Sequence, residues 1–80
     1  MLIFDRFETM EQARQFALKA TAETGLGAVV CESQEESDGI DPFPFELVPP
    51  IVLVDRHDSG SVEQLVMRLA PRFGGEFAGT

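Results

Sequence analysis

Apolar residues fall along this chain in two rhythms, and each change of rhythm marks an element. Leu2, Ile3 and Phe4 open a run rich in strand formers that reaches Phe7 and is ended by Glu8, which predicts a first strand. From Met10 the spacing becomes helical: Met10, Ala13, Phe16, Ala17 and Ala20 share one face, with Glu11, Arg14, Gln15 and Lys19 mainly on the other. Thr9 followed by Gln12 fits a capping box, in which each side chain satisfies the other's unpaired backbone N–H. Gly25 suits the position just past a helix, with Leu26 supplying the accompanying apolar contact. The first helix is therefore predicted over about Met10 to Thr24.

Gly27 to Glu32 predicts a second strand. A polar, acidic connection follows from Ser33 to Pro44, with turn signals at Asp38-Gly39 and Asp41-Pro42. Phe45 to Val48 has strand character, which Pro49-Pro50 interrupts because two prolines remove two ladder donors. Ile51 to Val54 is four consecutive β-formers bounded by polar residues, the pattern of a central buried strand. Asp55 to Gly60 reads as a turn, and Ser61 with Gln64 repeats the capping-box pattern. Val62, Leu65, Val66, Leu69 and Phe73 then mark an apolar helical face, on which Leu65→Ala is expected to cost roughly 2–5 kcal/mol. Pro71 ends or kinks this helix near Leu69 or Ala70. Gly74-Gly75 stops it, and Glu76-Phe77-Ala78 predicts a short final strand.

Strand, helix, strand, strand, helix, strand is the ferredoxin-like βαββαβ pattern: an α+β fold with an antiparallel sheet and two helices on one face. The alternative is a three-stranded sheet with two helices, if the last six residues do not pair. No internal repeat and no long linker divides the chain, so residues 1–80 are read as one domain.

An apolar fraction of 44% supplies one core and is too high for a disordered chain, despite a net charge of −8. No apolar run approaches the ~20 residues of a bilayer span. Met-Leu-Ile-Phe-Asp-Arg lacks a basic region and a small-residue cleavage site, so no signal peptide is expected. The single cysteine, Cys31, excludes an internal disulfide framework and a cysteine-based zinc site within one chain. Cys31 reads as a small apolar strand residue suited to a reducing cytosol.

The charge is unevenly placed. Between Thr21 and Asp55 lie eight acids (Glu23, Glu32, Glu35, Glu36, Asp38, Asp41, Glu46 and Asp55) and no lysine or arginine. The rest of the chain holds six acids and six bases, so the whole excess belongs to the middle. A phosphate backbone repels such a surface, which argues against direct nucleic-acid binding and against anionic membranes. A cationic surface, such as a basic protein groove, is attracted to it. The simpler reading is that the charge keeps a small protein in solution.

His57 lies among Asp55, Arg56, Asp58, Ser59 and Ser61, which invites a triad or a metal site. Adjacent residues in a turn seldom converge as a triad needs, and one histidine with carboxylates falls short of most transition-metal sites. A solvent-exposed turn histidine is expected, and His57→Ala should leave activity intact. Glu35 to Asp41 lacks the alternating ligands and closing glutamate of a calcium loop. Gly25-Leu26-Gly27 precedes a strand, the wrong context for phosphate binding. No catalytic, cofactor or metal residue is assigned.

Phe43-Pro44-Phe45, beside the acidic block, is either a plug for the end of the core or an apolar anchor rimmed by carboxylates. The expected partner surface is therefore Glu32, Glu35, Glu36, Asp38, Asp41, Phe43 and Phe45. The leading function is an inhibitor or decoy that occupies a basic, nucleic-acid-binding surface of a partner. The alternatives are a small ligand-binding or catalytic domain using His57 and nearby acids, and a structural homodimer.

An acidic chain of this size, with Glu32-Ser33-Gln34-Glu35-Glu36-Ser37-Asp38 on a minimal α+β frame, resembles the small phage-encoded anti-CRISPR proteins. The resemblance lies in size, charge and fold class and includes no diagnostic motif, so no family residue is carried over. It implies binding to a CRISPR effector complex in a bacterial cytoplasm.

Overall fold

The computed structural model describes residues 1–32 and 47–79. Its elements, in chain order, are β1 (Leu2–Asp5), α1 (Met10–Thr24), β2 (Ala28–Cys31), β3 (Ile51–Val54), α2 (Gly60–Leu69), a 3-10 turn (Ala70–Phe73) and β4 (Glu76–Gly79). The strands form one antiparallel sheet in the order β2-β3-β1-β4. Helix α1 therefore joins β1 to β2 across β3, and α2 joins β3 to β4 across β1. The final strand pairs, with Phe4 opposite Phe77 and Asp5 opposite Glu76, which removes the three-stranded alternative.

Each boundary has a local cause. The Thr9 hydroxyl accepts from the Gln12 amide at 3.1 Å, and the Gln12 side chain accepts from the Glu8 amide at 3.1 Å. The predicted cap thus forms, with the return bond displaced by one residue. Gly25 closes α1 in the left-handed region at φ 76, where a side chain would be strained. β1 ends at Asp5, two residues earlier than the predicted run, because Arg6 turns out of the strand at φ 65. α2 passes into a 3-10 turn at Ala70, beside Pro71, where a break was expected. Gly75 then passes so close beneath Phe7 that a Cβ there would overlap the ring.

The helices share one face of the sheet. Leu2, Phe4, Val52 and Val54 meet Ala13, Phe16, Ala17 and Ala20 of α1 and Val66 and Leu69 of α2 in a single buried cluster. Phe16 is its hub: its ring lies 4.9 Å from Phe4, 5.4 Å from Phe7 and 6.3 Å from Phe73, centre to centre. Such pairs add roughly 0.5–1.5 kcal/mol each beyond simple burial.

The α2 face differs from the expected one. Val66 and Leu69 are buried and Val62 is half-buried, but Leu65 is 37% exposed, while Met67 packs against the core. The buried stripe is centred near Val66 and runs through Glu63 and Ala70. Leu65 sits about 100° from Val66 around the axis, at the stripe's margin.

The opposite face of the sheet is also covered. Ile3, Ile51 and Leu53 are buried there with Cys31 and Leu47 in a second, smaller cluster, against which Ala78 packs. Every residue of β1 and of β3 is buried, as expected for strands covered on both faces. Edge strand β2 is not so enclosed: Val29 remains 57% exposed. No helix among the described residues is long and apolar enough to cross a membrane.

Candidate functional site

The acidic stretch begins where β2 ends. Glu32, the first of its expected binding residues, is exposed immediately after buried Cys31. Glu35, Glu36, Asp38, Asp41, Phe43 and Phe45 lie outside the described residues. The flanks of the stretch are both anchored. Cys31 on one side and Leu47 on the other belong to the same cluster on the sheet face away from the helices.

Leu47 is backed by a second fastening. The Val48 amide donates to Asp5 Oδ2 at 2.8 Å, and the Val48 carbonyl accepts from the Arg6 amide at 2.9 Å. Asp5 is 3% exposed, so its carboxylate is a buried acceptor aimed at one backbone amide. Burying a carboxylate is costly unless it is hydrogen-bonded, and this bond meets part of that cost. Asp5 also closes an otherwise apolar run, which was its only mark in the sequence. Asp5, Leu47 and Glu63 are the structural residues that sequence reasoning passed over.

Among the described residues, three ion pairs lie outside residues 32–46. Arg6 meets Glu76 at 3.5 Å, Lys19 meets Glu23 at 3.0 Å and Arg56 meets Glu63 at 2.9 Å. The first two pairs are exposed, and such pairs are each worth only about 0–1 kcal/mol; in the third, the Glu63 carboxylate is buried. Their relevance is to placement: half of the six bases are engaged by carboxylates outside residues 32–46.

The second candidate centre is the turn between β3 and α2. His57 is exposed there, as expected, and its Nδ1 accepts from the Ser59 amide at 2.9 Å. The Ser61–Gln64 capping box does not form. The helix begins at Gly60 with Ser59 as its cap residue, and the Ser59 hydroxyl meets the Ser61 hydroxyl at 2.8 Å instead of a helix amide. Glu63 takes the acceptor role. It receives two bonds from the Arg56 guanidinium, at 2.9 and 3.2 Å, and one from the His57 amide at 3.2 Å.

The Arg56 bonds and the His57 amide hold the Glu63 carboxyl below the usual carboxylate range, and Glu63 in turn raises Arg56. This arrangement orders a turn. Nδ1, the imidazole nitrogen that a triad would direct at an aspartate, instead accepts here from the Ser59 backbone amide. Among the described residues, no group of three or more His, Cys, Asp or Glu side chains is disposed to hold a metal ion. No protein-family model, curated protein or solved structure matches the chain.

Proposed function

We propose that this protein is an inhibitor or decoy whose acidic stretch occupies a basic, nucleic-acid-binding surface of a partner. The observation that carries the reading is the run of eight acids without a base between Thr21 and Asp55. Core packing does not call for these carboxylates, and crowding them costs repulsion, which a cationic partner would offset. The exposure of Glu32, and the anchoring of both flanks of the stretch in one cluster, support the reading. Glu32, Glu35, Glu36, Asp38 and Asp41 supply the charge, and Phe43 and Phe45 add apolar contact. A subunit of a CRISPR effector complex in a bacterial cytoplasm is the partner to which the resemblance in size, charge and fold class leads. No catalytic step is assigned to the chain. On architecture, we propose the ferredoxin-like assignment, supported by two strand–helix–strand units that each straddle an antiparallel strand.

The test is a pull-down from host lysate at low and high salt, followed by affinity measurement on what is recovered. Exposed charges are screened over about 8 Å at physiological ionic strength, so binding should weaken steeply as salt rises. Changing Glu35, Glu36 and Asp38 together to Lys should abolish binding with an unchanged circular dichroism spectrum. Wild-type affinity in that variant, or affinity indifferent to salt, would leave the charge as a solubility device.

A further inference from the structure

We propose that the turn between β3 and α2 is a two-stage acid-responsive latch, in which His57 releases the Ser59 amide first and Glu63 releases the His57 amide and Arg56 at lower pH. The geometry points to it because the turn is held by two acceptors that each lose capacity when protonated. His57 Nδ1 can accept from the Ser59 amide, at 2.9 Å, only while that nitrogen carries no hydrogen. A proton and this hydrogen bond compete for one lone pair. The second acceptor, Glu63 Oε2, holds the His57 amide at 3.2 Å and Arg56 Nε at 2.9 Å. Imidazoles take up their proton at higher pH than carboxylates, which fixes the order of release.

Ser59 makes no side-chain bond to a helix amide. The charged groups around the latch are Asp55, Arg56, Asp58 and Glu63. The Met1 ammonium also acts on Glu63. Residues 55–58 of the turn are exposed, while Glu63 is buried in the α2 stripe.

The test is an NMR titration of the full chain labelled with 15N, beside His57→Gln and Glu63→Gln. Gln at 57 offers a carbonyl acceptor that does not titrate. The neutral ring should be the Nε2–H tautomer, and the Ser59 amide shift should follow the His57 ring with one midpoint. Below that midpoint, Ser59 amide exchange in the wild type should exceed that of His57→Gln by roughly two- to tenfold, as loss of one ordinary hydrogen bond implies. In Glu63→Gln the imidazole step should persist, while the lower-pH change at the His57 amide disappears. A neutral ring in the Nδ1–H tautomer would overturn the proposal. So would a Ser59 amide that shows no inflection at the ring's midpoint, or that shows the same inflection in His57→Gln.

Discussion

The two faces of the sheet are both buried, but they are built differently. The helix face draws on β1, β3, α1, α2 and the 3-10 turn, and its centre is a group of touching phenylalanine rings. Among the described residues the cluster on the other face has five buried apolar members, and two of them, Cys31 and Leu47, are the flanks of the acidic stretch. The first face makes the fold cohere. The second ties the two flanks of the charged stretch to the rigid part of the molecule. Stability and the proposed binding role are therefore separable, and substitutions can test how cleanly.

The largest effect is expected at Phe16. Phe16→Ala removes the hub of the ring cluster and should cost about 3–5 kcal/mol, enough to leave a domain of this size largely unfolded. Chemical denaturation followed by circular dichroism measures it. Leu47→Ala should come next, near the lower end of the ~2–5 kcal/mol range for such truncations, because its cluster is smaller. The contrast sharpens if Leu47→Ala weakens partner binding at a temperature where the domain remains folded. A loss equal to that of Phe16→Ala would mean that the two faces are one core, and the contrast would fall.

Leu65→Ala should cost only about 1 kcal/mol or less, since the side chain is already 37% exposed. A midpoint shift of the size expected for a core leucine would show α2 rotated towards burying it. The smallest contribution belongs to the Arg56–Glu63 pair. The Glu63 carboxyl is held low in the folded state, so its stabilisation is fully present above the ordinary carboxylate range. That stabilisation is lost as pH falls through the lowered value. Wild type and Glu63→Gln should therefore differ in melting temperature near neutral pH and converge in acid. A difference that widens in acid would contradict this sign.

Much of this was legible from the chain. The extent of α1 followed from Thr9, Gln12 and Gly25, all short-range signals whose bonds form within five residues. Ile51 to Val54 could be read because an unbroken apolar run has one economical explanation, burial on both faces. The start of α2 was misread because its acceptor, Glu63, is recruited by Arg56 seven residues earlier, not by a local cap. The place of Leu65 depended on how far the helix turns about its own axis on the sheet, which spacing leaves open. The Asp5–Val48 bond spans 43 residues and has no sequence signature. Of the expected binding residues, only Glu32 lies among those described, and it is exposed.

The close passage of Gly75 beneath Phe7 has a genetic consequence. Phe7 is 3% exposed and its ring packs against Phe16, so it has little room to yield. A methyl group at position 75 must therefore displace either the ring cluster or the first residue of β4. Position 75 should be as intolerant in a mutational scan as a buried phenylalanine, although glycine there has no side chain. The defect should also be allele-specific. Phe7→Leu, harmful alone, should partly suppress Gly75→Ala by clearing the space the methyl needs, and should rescue no lesion at Leu47 on the far side of the sheet.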